Sequence, residues 1–177
     1  VKNKILKINL HVGSNEKIKK SSKKNFITCF PRKLPNHFHL LRFYLNDKLP
    51  KGWVLDPILN VSNSELKRKI IRSKIFLSFS NFEGFGLPPL EAALFGNKII
   101  GYDGGGGSEY WKKPIFTKIE QGEIYKFGEE IINTINKYDP NWLKKTRKQR
   151  SILAKKYSNS SEKKSLIKLS RKIINLY

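Results

Sequence analysis

The feature that most limits what this chain can fold into is a change of backbone pattern between residues 75 and 94. Ile75-Phe76-Leu77-Ser78-Phe79 is a short apolar run, rich in aromatic and β-branched residues, of the kind buried on both faces of a parallel sheet. Gly84 and Gly86 follow, then Pro88 and Pro89, then Leu90, Ala93 and Leu94 at helical spacing. Glycines permit a tight loop and proline suits the first turn of a helix, so the run predicts a strand, a sharp turn and a helix beginning near Leu87 or Pro88. The two prolines remove two amides. The donors open to an anion are then those of Gly84 to Leu87, assisted by the helix dipole.

Two carboxylates, Glu83 and Glu91, stand eight positions apart around this turn. Glu91 falls off the apolar stripe of the helix, where it can accept hydrogen bonds from vicinal hydroxyls. Glu83 lies in the loop, about where a sugar attached to phosphates would sit. Taken singly, each carboxylate is equally well read as a solvated surface residue.

Together, Glu83-Gly84-Phe85-Gly86-Leu87-Pro88-Pro89-Leu90-Glu91 resembles the E-x7-E signature of retaining glycosyltransferases with the GT-B fold, the group 1 family that includes sucrose, trehalose and lipopolysaccharide-type transferases. The resemblance implies that Glu83 contacts donor-sugar hydroxyls, that the backbone of Gly84, Phe85, Gly86 and Leu87 lies against sugar and phosphate, and that Glu91 binds the ribose. It continues through Asn97 to Tyr102 as the next strand and through Gly104-Gly105-Gly106-Gly107-Ser108-Glu109, similar to the family's glycine-rich turn ending in Glu. The likeness is specific over residues 60–112. It implies a Rossmann-like doubly wound parallel α/β sheet, the C-terminal donor half of a GT-B architecture whose N-terminal acceptor domain is missing.

The rest of the chain predicts alternating strands and helices. Strands are expected at residues 26–30, 53–58, 98–102 and 115–119, and helices at 35–45, 62–72, 124–137 and 141–156. Ser62 followed by Glu65 forms a capping-box pattern ahead of the apolar Leu66, Ile70 and Ile71. Such alternation favours a doubly wound sheet. Residues 1–24 read as a possible edge strand over 5–12 and a lysine-serine linker, 25–157 as the nucleotide-sugar-binding domain, and 158–177 as a C-terminal helix. With 177 residues, opening at Val1 and holding no methionine, the chain reads as a fragment or processed product of something longer.

Ligands of such sheets bind beyond the carboxyl ends of the strands, where further turns fall. Pro31-Arg32-Lys33 places two cations where a diphosphate could be neutralised, as the family resemblance also suggests; the alternative is two of many surface bases. Adjacent side chains diverge, which favours Arg32 over Lys33. Pro57 and Ile58, in the turn after the 53–58 strand, resemble the region where the family seats the nucleotide base, although a plain strand-to-helix connection explains them nearly as well. Gly104 and Gly105 suit either a flexible lid or close approach of backbone to the sugar.

Cys29 stands alone, so no disulfide frame or thiolate cluster is expected and a reducing, cytoplasmic compartment fits. His37 and His39 point to different sides of one helical stretch, and His11 is distant. No metal and no cofactor is expected; the nucleoside-diphosphate sugar is substrate, its acceptor a sugar, a lipid-linked molecule or another small molecule. The resemblance implies retention through an oxocarbenium-like transition state, with the diphosphate leaving against Arg32, Lys33 and the loop amides, and Glu83 as a sugar contact. A non-catalytic or epimerase-like nucleotide-sugar binder of the same fold is the second reading.

The formal net charge of +22 is unexplained by that motif. Nucleic-acid binding competes, but aromatic interleaving and binding motifs are missing. Peripheral contact with an anionic membrane, at the inner face where a lipid-linked acceptor would reside, is another use of the charge. The amphipathic tail, residues 165–177 with Leu166, Leu169 and Ile173, is read first as a packed terminal helix and second as a membrane-facing one. No segment is long enough to cross a bilayer and no signal peptide is seen.

Overall fold

A computed structural model describes residues 23–174; the edge strand, His11, the last three residues and all of the expected linker but Lys23 and Lys24 lie outside them, and Lys24 proves to open the first strand. Three strands sit at the centre. They are β1 (Lys24–Cys29), β3 (Ser73–Glu83) and β4 (Lys98–Gly105), each carrying apolar residues that point alternately to opposite faces. Shorter strands, β2 (Val54–Leu55) and β5 (Phe116–Lys118), close the two edges, giving an all-parallel sheet of order β2-β1-β3-β4-β5.

Both faces are covered because both are apolar. Ile75, Leu77, Phe79 and Ile100 pack under α1 (Pro35–Leu45) and α4 (Ile124–Asn136), through Phe38, Leu41, Leu45, Phe127 and Ile131. Phe76 and Ile99 face the other way. They meet α2 (Asn63–Arg72), α3 (Leu87–Leu94), α5 (Trp142–Lys145) and α6 (Arg147–Lys156) through Ile70, Leu90, Trp142 and Leu153, with Tyr157 sealing the end of this layer. The chain leaves β1 for β2 on one side and returns to β3 on the other, so the strand order reverses between β1 and β3. A doubly wound sheet opens a crevice at that point, beyond the carboxyl ends of the strands.

The expected elements are present, with instructive departures. The helix at residues 35–45 has the bounds expected, and Ser62 caps α2 by accepting the Glu65 amide at 3.3 Å. The strand expected at 53–58 is reduced to two ladder residues, although the amides of Asp56 and Ile58 still donate to Ile27 and Cys29 carbonyls. β3 runs beyond Phe79 to Glu83 because its polar residues pair with β4; Ser78 Oγ, for instance, donates to the Tyr102 carbonyl at 2.7 Å. The helix expected over 141–156 is broken at Thr146, whose hydroxyl donates to the Trp142 carbonyl four residues back at 2.8 Å, a bond that bends helices.

The tail corrects an expectation. α7 (Asn159–Ile174) has no buried residue and leaves Leu166, Ile167, Ile173 and Ile174 exposed, so it is not the packed terminal helix expected first. The residues it turns partly inward are Leu169 and the polar Ser161, Glu162 and Ser165, and Tyr157 has already closed the core beneath.

The amino ends of β3 and β4 are tied by a buried polar cluster. The Lys23 ammonium donates to the Ser73 carbonyl (2.9 Å) and to Asn97 Oδ1 (3.0 Å), Asn97 Nδ2 donates to Ser73 Oγ (2.7 Å), and Ser73 Oγ donates to the Ile70 carbonyl (3.1 Å). Burial, and secondarily the nearby Arg150, lowers the Lys23 pKa to about 7.

Candidate functional site

The crevice between β1 and β3 holds a cavity of about 470 Å³. Its walls include Phe30, Phe76 and Phe79 below, Pro88 and Pro89 at the start of α3, and the charged Arg32, Lys33 and Glu83. Arg32 and Lys33 come from one turn of 3-10 helix, Pro31–Lys33, which directly follows β1; Pro31 is buried and anchors the turn. Glu83 comes from the end of β3. The Lys33 ammonium and the Glu83 carboxylate form an ion pair, with side chains 58% and 14% exposed respectively. Lys33, which diverges from Arg32 in sequence terms, therefore lines the same cavity and touches the expected sugar-binding carboxylate.

The turn between Glu83 and α3 is shaped from within. Gly86 adopts a left-handed conformation (φ 74°, ψ 62°) as the residue preceding the helix, a geometry that only glycine takes without strain. The Tyr110 hydroxyl reaches the Phe85 carbonyl at 3.1 Å and makes a second contact to the Gly86 carbonyl. Carbonyls are thus held from behind. The Phe85 ring packs against Tyr110 and Tyr157 at centroid distances of 5.5 and 5.2 Å, so only its backbone belongs to the turn's outer side. Gly84 and Leu87 are exposed, and Gly84 has open space where a side chain would project.

Glu91 lies one helical turn into α3 and is half-buried. Burial raises its carboxyl above the ordinary range, while the ammonium of Lys67 acts in the opposite sense. It does not line the cavity that gathers Arg32, Lys33 and Glu83.

Pro57 and Ile58 are not brought to that cavity either. Pro57 borders a separate cavity of about 250 Å³ beside Phe38, Arg42 and Leu55, and its carbonyl lies 3.4 Å from the Lys69 ammonium. Ile58 is buried in the core, with its amide donated to Cys29. A proline between two sheet-bound amides leaves Asp56 to Ile58 with no spare N–H for reading a base.

The glycine run also serves the packing of the protein itself. Gly104 lies beside Ser80 and Glu83, and Gly105 pairs with Glu83 across the sheet. A β-carbon on Gly106 would stand 2.2 Å from the carbonyl oxygens of Glu83 and Gly84. The missing side chains at Gly104 and Gly106 therefore let the two turns of the protein cross each other, whereas Gly105 has open space where a side chain would project, which leaves it free for the close approach of a ligand.

Several residues at the site were not singled out by sequence reasoning. Tyr110 follows the glycine run, yet its contact to Phe85 and Gly86 depends on tertiary placement. Phe82 is 99% exposed with φ 39°, next to the register shift between Ser80 and Glu83 that turns the end of β3. Of the residues already considered from sequence, His37 Nδ1 lies 3.1 Å from the Tyr102 hydroxyl, while the His39 ring meets Phe38 edge to face. Cys29 is buried, which pushes its thiol pKa up. Among the described residues no cluster of His, Cys, Asp and Glu could hold a metal ion, and no helix is long and apolar enough to cross a membrane.

No protein-family profile and no curated protein matches this sequence. Among solved structures, the chain is similar to a mutant of S. aureus TarM in complex with fondaparinux, alpha-GlcNAc-glycerol and UDP, with TM-score 0.73 and 15% identity over 89% of this chain and 38% of that one. A second structure of TarM gives 0.62 at 16% identity, covering 89% and 37%, and a GtfA/B complex gives 0.55 at 16%, covering 87% and 37%. At such identity the likeness shows the fold, a Rossmann-like parallel α/β domain. The chain spans less than two fifths of the length of each of these structures.

Proposed function

We propose that this chain is the donor-binding half of a retaining glycosyltransferase, moving a sugar from a nucleoside-diphosphate sugar to an acceptor held by another part of the protein. The observation that carries this reading is the convergence of Arg32, Lys33 and Glu83 on one cavity, at the reversal point of the sheet and under the start of α3. The structural likeness to a UDP complex supports the same reading.

Arg32 and Lys33 would take the diphosphate, with the amides of Gly84 to Leu87 at the amino end of α3 adding donors. These groups are preorganised for charge that grows on the leaving phosphate as the glycosidic bond breaks. Glu83 would accept hydroxyls of the donor sugar and Glu91 those of the ribose. Neither carboxylate acts as nucleophile here, because the two hold different parts of the donor. The apolar floor excludes water from the reacting carbon.

Calorimetric titration with UDP, GDP, ADP and their sugars tests this reading. We expect selective binding of one nucleotide series, and a loss of about tenfold in Glu91→Ala, the size of one charge-assisted hydrogen bond. A folded chain that binds none of them sinks the reading.

An anionic membrane is proposed as a further partner, favoured by one observation. α7 exposes Leu166, Ile167, Ile173 and Ile174, and Lys164, Lys168, Arg171 and Lys172 border a groove on the same helix. Co-sedimentation with phosphatidylglycerol vesicles, but not with phosphatidylcholine ones, is expected; equal recovery with both would remove the membrane from the proposal.

A further inference from the structure

Lys33 and Glu83 are fifty positions apart in sequence and meet through the β1–β3 pairing. With Arg32 they are the charged side chains lining the cavity among the described residues, two cations against one carboxylate. A diphosphate entering the cavity is attracted by Arg32 and Lys33 and repelled by Glu83. Lys33 cannot serve its present carboxylate partner and an incoming phosphate equally well.

When the phosphates take Lys33, Glu83 loses its counter-charge while remaining mostly covered. A carboxylate with little access to water needs other donors. A sugar attached to the diphosphate brings hydroxyls that can supply them. A bare nucleoside diphosphate carries hydroxyls only on its ribose, which the donor-site reading gives to Glu91, and so brings none to Glu83.

We infer that the Lys33–Glu83 ion pair makes the cavity select an intact nucleotide sugar over the bare nucleoside diphosphate, because only the sugar can replace the partner that Glu83 gives up. The inference rests on the donor-site reading above and adds to it a rule of preference. Binding of the sugar nucleotide exchanges one partner for another at both Lys33 and Glu83. Once the sugar has been transferred, Glu83 competes again for Lys33 and weakens the hold on the spent nucleotide, which favours its release.

The test is a comparison of UDP, UDP-N-acetylglucosamine and inorganic pyrophosphate as calorimetric probes, on the wild-type chain and on Glu83→Gln. Glutamine keeps the size and the carbonyl of the side chain but removes the competing charge. UDP and pyrophosphate should bind about two- to fivefold more tightly to the variant, as for release of an exposed ion pair, while UDP-N-acetylglucosamine binds more weakly. In a Lys33→Met background the substitution should tighten nothing, since the contested cation is gone. UDP binding that is weaker or unchanged in Glu83→Gln, with thermal unfolding like that of the wild type, overturns the inference. If neither nucleotide binds the folded wild type, the donor-site reading fails; tightening of pyrophosphate alone would then still establish the contest for Lys33, and no tightening would remove it as well.

Discussion

The two ends of the central strands use charged residues in opposite ways. At the amino end, Lys23 is half-buried and donates to the buried Ser73 and Asn97, which are themselves bonded to one another. At the carboxyl end, Arg32 is exposed and Lys33 and Glu83 form a partly open ion pair. A buried, satisfied cluster contributes to the fold, and its removal leaves unpaired groups behind. A group that keeps its access to water contributes little to stability and is available to a ligand. The difference teaches that burial, more than residue type, assigns a lysine of this chain to structure or to binding.

The largest expected effect comes from exchanging the two ends by mutation. Asn97→Ala removes one of the two acceptors of the Lys23 ammonium and the donor to the Ser73 hydroxyl, each of which keeps one partner, and should lower unfolding free energy by about 1–3 kcal/mol, with the remaining folded protein binding nucleotide as before. Arg32→Ala should do the converse, leaving stability within about 0.5 kcal/mol while costing about 1.5–3 kcal/mol of nucleotide affinity. Urea unfolding and calorimetry on both variants measure all four quantities. A stable Asn97→Ala, or a destabilised Arg32→Ala, would break the contrast.

A smaller effect follows from the titration of Lys23. Its pKa falls from 10.5 in the ordinary state to about 7 in the fold. Below pH 7 the lysine is protonated in folded and unfolded chains alike, and the folded state bears the cost of the buried charge. Between pH 7 and 10.5 the folded chain has released the proton and the unfolded chain has kept it, so the unfolded state binds more protons and stability rises with pH through that window. From pH 7 to 9 this gain is on the order of 1–2 kcal/mol. Urea midpoints at the two pH values check it, and Lys23→Met should abolish the difference.

Much of the frame was legible because it depends on local rules. The bounds of α1, the Ser62 cap and the glycine-proline approach to α3 follow from propensity and turn chemistry over a few residues. The extension of β3 past Phe79 was not legible, because Ser80 and Asn81 look like a loop until β4 lies beside them. The break at Thr146 turns on one hydroxyl choosing a carbonyl within its own helix. Arg32 and Glu83 were each singled out in the sequence, but their common cavity and the Lys33 contact depend on which strands are neighbours. Pro57 and Ile58 lie away from that cavity for a related reason: the Ile58 amide is taken by the Cys29 carbonyl of β1, a pairing the sequence does not display. The exposed face of α7 ranked only second because an apolar stripe in sequence does not say whether a partner surface exists.

The crossing of Gly106 over Glu83 and Gly84 also decides where this cavity can be redesigned. Any side chain at Gly106 would enter the carbonyls of the opposite turn, so the rim tolerates almost no variation without moving the carboxylate itself. The aromatic floor has no such restriction, since Phe30 is only partly buried and faces the cavity through its side chain. A library aimed at new donors should therefore hold both glycine turns constant and diversify from beneath, starting at Phe30, where volume can change while the polar rim keeps its shape.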